Sequence, residues 1–162
     1  MFNPETLANQ LSEIGTLHIS ESKKGTFHGF VDGIQVTWLR YPNPLLDELT
    51  NSSVVPGLRI ASILDIAVMK WAAISDRGSR KDFIDLYFIC STSGLTLESL
   101  VPIHSKKFPE AHINYYHMLK SLSYFDDAEE EGWPVMLQSV NWNDIKFFFI
   151  ENQKKLMKQL LL

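Results

Sequence analysis

GLRIASILDIAVMKWAAISDRGSRKDFIDLYFI, residues 57–89, decides how this chain folds. From Ile63 to Ile74 nearly every position is apolar: Ile63, Leu64, Ile66, Ala67, Val68, Met69, Trp71, Ala72, Ala73 and Ile74. A helix that is apolar on almost all sides belongs in a protein interior. Ser62, with Asp65 three residues on, reads as the capping box that starts it. Gly78 joins it to a second helix, for which Ser79 and Asp82 repeat the start signal, reaching about Cys90 or Ser91. Lys70, Arg77, Lys81, Asp82 and Asp85 are set into these apolar surroundings. A lone ammonium at Lys70 is costly there unless it is paired or led out to a cleft.

Seven residues is close to two helical turns and eleven close to three. A straight helix would therefore align Lys70, Arg77 and Lys81, whereas a break at Gly78-Ser79 would not. One reading of these residues is a cationic wall for a nucleoside triphosphate or an RNA end, since phosphoryl transfer needs cations to offset phosphate charge. A structural reading uses the same residues. Asp82 caps its own helix, Asp85 pairs with Lys70 across the two helices, and Arg77 compensates the C-terminal end of the first. For Asp82 the cap is the preferred reading. Both readings of Lys70 and Asp85 stand at this level. If that pair is desolvated, losing one partner should cost about 3–5 kcal/mol.

Outward from this stretch, Asn3 caps a first helix with Pro4 at its first position, running to about Ile14 and ended by Gly15. Leu17 to Ser20, Thr26 to Val31 and Ile34 to Arg40 read as strands, joined by Lys23-Lys24-Gly25 and by the hairpin signal Asp32-Gly33. Ile34, Val36 and Trp38 fall on one face of the third. Tyr41 to Pro56 carries three prolines and reads as a loop. The remainder is helical: a segment from Thr96 or Leu97 to before Pro109, interrupted at Pro102; another from His112 to Tyr124; and a last one from Asn141 or Asn143. On that last helix Ile145, Phe148, Phe149, Leu156 and Leu160 share a face. The order is a helix and a small antiparallel meander, then a helical block, which is the α+β class. The expected organisation is one domain over 1–162, with helix plus sheet in 1–60 and the helical part in 61–162.

The 162 residues carry 45% hydrophobic content, enough for a real core. A net charge of −4 argues against a broadly basic nucleic-acid surface. Local basic clusters remain at Lys23-Lys24, Arg77 to Lys81, Lys106-Lys107 and Lys154 to Lys158. Cys90 is the single cysteine, so an intrachain disulfide is excluded; it reads as a small buried residue. No signal-peptide pattern opens the chain, and no apolar run is long enough to span a bilayer, so a cytoplasmic protein is expected. The histidines lie apart; only His112 and His117 are close, and five residues does not place them on one helical face, so no metal site is expected from them. Gly25, Gly29 and Gly33 belong to strands and turns rather than to a phosphate loop. The acidic run Asp126 to Glu131 reads as a solvated face or a helix start. Trp38, Trp71, Trp133 and Trp142 read as core.

The order Ser62-x-x-Asp65, Lys70, Arg77-Gly78, Lys81-Asp82-x-x-Asp85-Leu86-Tyr87 resembles the second half of the AbiEii/AbiGii-toxin-type nucleotidyltransferases. Asp32-Gly33-Ile34-x-Val36 with Tyr41-Pro42 resembles their second hairpin. Leu119 to Ala128, then Pro134 and Met136, resembles their C-terminal motif, with Asp126 and Asp127 packing that segment near the cleft. The resemblance runs from about Phe2-Asn3-Pro4 to the last helix. It implies a nucleotidyltransferase-like fold and transfer of a nucleoside monophosphate from a triphosphate to an RNA or protein hydroxyl. Lys70 and Asp85 would be the catalytic pair, with Asp85 orienting Lys70. Arg77, Arg80 and Lys81 would bind substrate phosphate, and Asp82 would be structural. The family's Gly-rich turn and Asp-x-Asp metal acids have no counterpart here, and Thr37 stands where related proteins carry a third acid. Met1 would fall just past those acids. The resemblance thus implies that Mg²⁺ and a nucleoside triphosphate serve a complete family member, while this chain holds no cofactor and is inactive alone. The alternative is a non-catalytic binding or interaction module of the same descent. Either way the meander's exposed edge is expected to meet a second copy, an N-terminal half or an antitoxin. RNA is a partner the resemblance allows; a membrane is not expected.

Overall fold

The computed structural model describes residues 2–112 and 114–160, and it divides into two compact units, Met1–Pro42 and Asn43–Leu162. Among the described residues the first unit holds one helix and a three-stranded sheet, and the second holds a short two-stranded ribbon and six helices. This is a small antiparallel sheet followed by a helical block, the α+β order expected from the sequence.

In the first unit, helix α1 spans Pro4–Ile14, and Asn3 accepts from the backbone N–H of Glu5 and Thr6. Pro4 fits at the first turn because its missing N–H would have no partner there. Strands β1 (Leu17–Lys23), β2 (Thr26–Val31) and β3 (Ile34–Leu39) form an antiparallel meander in the order β1-β2-β3. Both central residues of the second turn have positive φ, 49° at Asp32 and 80° at Gly33. That matches the twist a two-residue hairpin requires. The Asp32 carboxylate accepts from the Thr16 N–H at 2.8 Å. Gly15 cannot carry a side chain, because a Cβ there would run into the Asp32 carboxylate and Val31. The sequence places Ile34, Val36 and Trp38 on one face; of the three only Val36 is half-buried. Trp38, expected in the core, is at the exposed limit, with its ring edge-on to buried Phe27 at 6.2 Å.

In the second unit, β4 (Thr50–Asn51) pairs with β5 (Arg59–Ile60) within what the sequence presents as loop and lead-in. Two-residue strands carry no periodicity to read. Helix α2 (Ile63–Arg77) is capped by Ser62, whose hydroxyl accepts from the Asp65 N–H. It ends at Gly78, in the left-handed region at φ 58°, with its N–H directed to the carbonyls of Ala73 and Ile74. A Cβ at Gly78 would meet only ordinary contacts at 3.8 Å, so Gly78→Ala tests backbone strain alone. It should lower unfolding stability by about 1–2 kcal/mol, read by urea titration.

Helix α3 spans Arg80–Ser93 and α4 spans Leu97–Lys107. The sequence predicts a break at Pro102, but α4 runs through it. The lost hydrogen bond falls on the Glu98 carbonyl in the first turn. The Thr96/Ser99 capping box and buried Leu97, Leu100 and Val101 hold the helix around it. Helix α5 is Tyr115–Ser121, shorter than the predicted 112–124; Asn114 caps it, and Ile113 lies outside the described residues. The acidic run does start a helix, α6 (Asp126–Glu130), and α7 spans Trp142–Leu160.

The core of this unit gathers Ala67, Val68, Trp71 and Ile74 from α2 with Phe83, Ile84 and Leu86 from α3, Leu97 and Leu100 from α4, and Ile145, Phe149 and Leu156 from α7. Phe83 is its aromatic centre, 5.1 Å from both Phe125 and Phe149 and 6.0 Å from Trp142. Trp71 is fully buried, as read from the sequence, whereas Trp133 is 49% exposed. Cys90 is half-buried, and burial pushes its thiol up to about 11, which keeps it in the protonated, unreactive form near neutral pH. No single described helix is long and apolar enough to cross a membrane.

Candidate functional site

The two helices around Gly78 bring four of the charged residues into one chain of contacts. Lys70 on α2 directs its Nζ to Asp82 Oδ1 at 3.0 Å and to Asp85 Oδ2 at 2.6 Å, both on α3. Arg77, in the last turn of α2, donates from Nε to Asp82 Oδ2 at 2.8 Å and from Nη2 to Asp82 Oδ1 at 3.1 Å. Asp82 is therefore a hub. Its carboxylate is fully buried, while Lys70 is 24%, Asp85 48% and Arg77 54% exposed. The pairing of Lys70 with Asp85 is the one the sequence anticipates. The desolvation attached to it is not found at Asp85, whose carboxylate is half in water; it belongs to Asp82.

The electrostatics follow this geometry. Burial alone would raise the Asp82 carboxyl, but Arg77 and Lys70 outweigh it and hold the group below the ordinary carboxylate range. Burial would lower the Lys70 ammonium; hydrogen bonds to Asp85 and Asp82 overturn this and hold it above the ordinary lysine value. Hydrogen bonding to Asp82 likewise raises Arg77. Each group is thus locked in its charged form. Lys81 points out of the cluster into an open cavity of about 400 Å³. Among the described residues no acid pairs with Lys81.

Two sequence assignments are corrected here. Asp82 does not cap α3: the Ser79 side chain makes no capping bond to it. The cap comes from further along the chain, 51 residues after Arg80. Glu131 Oε2 accepts from the Arg80 N–H at 2.9 Å and from the Ser79 hydroxyl at 2.8 Å. This places a carboxylate at the positive end of the helix. Arg80, expected to assist in phosphate binding, is buried and turned away from Lys70. Its guanidinium donates to the carbonyls of Ala128 and Glu129 and lies 5.1 Å and 5.2 Å from the ring centres of Trp133 and Trp142. It ties α6 and α7 to α3.

The family described as nucleotidyl transferase AbiEii toxin, type IV TA system, matches residues 32–157. The chain belongs to this family. Uncharacterized protein aq_aa25 of Aquifex aeolicus (strain VF5) is 31% identical over 157 residues, covering 97% of this chain and 74% of that protein. No solved structure matches.

Nucleotidyl transfer by such proteins implies divalent metal held by paired acids. The described residues do not fit that group. Among them no three His, Cys, Asp or Glu side chains converge on a point, and the two carboxylates of the site are already engaged by Lys70, one of them by Arg77 as well. The cations Lys70 and Arg77 are engaged by Asp82 and Asp85, Asp76 and Glu131 also act electrostatically on Arg77, and among the described residues Lys81 forms no ion pair.

One further buried pair has no clear sequence signal. Asp65 and Lys107 are both fully buried and form a short ion pair. Asp65 also accepts from the N–H groups of Leu46 and Asp47 and from the Ser62 hydroxyl, and Lys107 donates to the Pro44 carbonyl at 2.7 Å. Burial would raise the Asp65 carboxyl, but Lys107, Leu46, Ser62 and Asp47 together hold it below its ordinary value. The pair pins the segment before α2 to α4. The only hint in the sequence is the Ser62-x-x-Asp65 box, which accounts for the hydroxyl and not for the lysine.

Proposed function

We propose that this chain is a nucleotidyltransferase-family protein that binds nucleotide phosphate at Lys70, Arg77 and Lys81 and does not, by itself, transfer the nucleotide. The observation that carries the reading is the fixing of the Lys70 ammonium between buried Asp82 and half-exposed Asp85, with Lys81 one turn of α3 before Asp85 and lining the same cavity, while Arg77 lines a second cavity. Lys70 is held rigid and charged; Asp85 orients it, and Asp82 fixes Arg77 beside it. Preorganised cations of this kind stabilise phosphate charge without rearranging when the ligand arrives. The second half is supported by the carboxylates themselves: Asp82 and Asp85 are engaged by Lys70 and Arg77, and among the described residues no group of three or more His, Cys, Asp or Glu is placed to hold an ion that would activate the attacking hydroxyl. The test is incubation of the 162-residue chain with each labelled nucleoside triphosphate, Mg²⁺ or Mn²⁺, and total RNA. No labelled RNA or labelled protein is expected. Robust metal-dependent labelling would overturn the inactive half of the reading.

A second reading, a non-catalytic interaction module, is favoured by the meander. Ile34 is 71% and Leu39 60% exposed, and β1 and β3 each leave one edge unpaired among the described residues. Open edges and apolar side chains of this kind suit strand addition by another chain. The two readings are compatible, since phosphate binding and the meander use different residues. Sedimentation at micromolar concentration tests the second: self-pairing through the meander gives a dimer, and a monomer would contradict self-pairing.

A further inference from the structure

The two edges of the meander are built differently. β1 carries a register shift between Ile19 and Glu21, and it holds the exposed Glu21–Lys23 ion pair. A bulge and exposed charges are what keeps a strand edge from pairing with another chain. β3 has neither. Its register with β2 is unbroken from Ile34 to Leu39, and the six residues Ile34-Gln35-Val36-Thr37-Trp38-Leu39 include no charge and no proline. Among the described residues no strand pairs with its outer side.

The backbone fixes what this outer side offers. The Arg40 N–H donates to the Gly25 carbonyl at the end of the β2–β3 ladder, and successive residues of a strand alternate in direction. Ile34, Val36 and Trp38 therefore direct their N–H and C=O groups to β2, while those of Gln35, Thr37 and Leu39 point outward. The side chains alternate as well. Ile34, Val36 and Trp38 share the face of buried Phe27, which stands opposite Trp38. Gln35 and Thr37 share the other face, where the Thr37 hydroxyl lies 3.0 Å from His28 Nδ1.

We propose that β3 pairs antiparallel with β3 of a second copy about a two-fold axis at Val36, joining the two meanders into one six-stranded sheet. The proposal rests on the interaction reading above and names its partner and register. Outward-pointing residues must meet outward-pointing residues, which excludes any register shifted by one residue. With the axis at Val36, Gln35 stands opposite Thr37 of the second copy and exchanges both backbone hydrogen bonds with it, and the symmetric pair does the same. Ile34 then meets Trp38 of the second copy and Val36 meets Val36, so apolar side chains adjoin on one face and polar ones on the other. An axis at Thr37 would set Ile34 against Arg40, and an axis at Gln35 would set Trp38 against Asp32. A second copy also suits the edge electrostatically: an uncharged strand brings no like charges together across the axis, whereas a charged partner strand would find no counter-charge on it.

Sedimentation of the whole chain at micromolar concentration, with circular dichroism to confirm folding, compares the wild type with Gln35→Pro. The Gln35 N–H points away from β2, so proline there removes a donor from the dimer contact and none from the meander itself. The wild type should be a dimer, and Gln35→Pro should raise its dissociation constant at least tenfold. Oxidation of Val36→Cys is a second measurement that does not depend on the proline variant folding. Across the axis its two Cα atoms would stand about 4.5 Å apart, within disulfide reach, whereas those of Leu39→Cys would stand about 20 Å apart. A covalent dimer is expected from Val36→Cys and none from Leu39→Cys or from the wild type, whose single cysteine is half-buried Cys90. A dimer that Gln35→Pro leaves unchanged, or that Val36→Cys fails to cross-link, overturns the β3 pairing and moves self-association to another surface. A monomeric wild type overturns the β3 pairing and self-association together.

Discussion

Lys107→Met is expected to lower unfolding stability by about 3–5 kcal/mol, a large share of the 5–15 kcal/mol typical of a domain. The substitution keeps the volume of the side chain and removes its charge, leaving the buried Asp65 carboxylate with the N–H groups of Leu46 and Asp47 and the Ser62 hydroxyl but no counter-charge. Asp65→Leu should also destabilise, because it removes the carboxylate paired with this buried ammonium. The double substitution should cost clearly less than the two losses added together, because no buried charge is left unpaired. Urea denaturation of the four proteins measures this. Additive losses would show that the two side chains act independently, contrary to the direct pairing.

The second large effect is at Asp82. Asp82→Ala should cost about 3 kcal/mol, because it frees Arg77 and leaves Lys70 with only a half-exposed partner. Asp85→Ala, on the same ammonium, should cost no more than about 1 kcal/mol, since its carboxylate is 48% exposed and Asp82 remains. The pH dependence has a definite sign. Asp65 and Asp82 are held below their unfolded value of about 3.9, so their contribution is complete above that pH and is lost as pH falls through the folded values. Lys70 is held above its unfolded value of about 10.4, so its contribution is complete below that pH and is lost as pH rises through the folded value. His104 adds an earlier acid loss. It is buried with Nδ1 unpartnered, and burial lowers its pKa, so stability declines as pH falls below about 6.5. Asp82→Asn should flatten the steep limb below pH 4 and leave the shallow histidine limb in place. Equal damage from Asp85→Ala and Asp82→Ala would contradict the hub.

What was legible in the sequence is what local chemistry determines. The apolar run from Ile63, the glycine at 78 and the Asp32-Gly33 turn each specify their own structure within a few residues. The Lys70–Asp85 pairing was also legible, because an ammonium in an apolar helix requires a nearby acid and Asp85 lies on the adjoining helix. The capping pattern Ser79-x-x-Asp82 misled for the same local reason: a carboxylate at the third position can cap, and here it is drawn inward by Arg77 and Lys70. The real cap, Glu131, comes from a distant segment, as do the carbonyls that hold Arg80. Lys107 lies 42 residues from Asp65 in a pair of lysines that reads as surface. Contacts at that separation leave no periodic trace. The cavity beside Lys81 was not read from the sequence, because its wall at 134–138 has no regular structure to announce it.

The central claim is that Lys81 and Lys70 form a site for nucleotide phosphate, and its most direct test is the binding of tripolyphosphate to Lys81→Glu. Lys81 is exposed and pairs with no acid among the described residues, so reversing its charge should leave the fold intact. The prediction is a loss of affinity of at least tenfold, with the wild-type affinity itself falling as salt is raised. Affinity unchanged by the charge reversal would contradict the site.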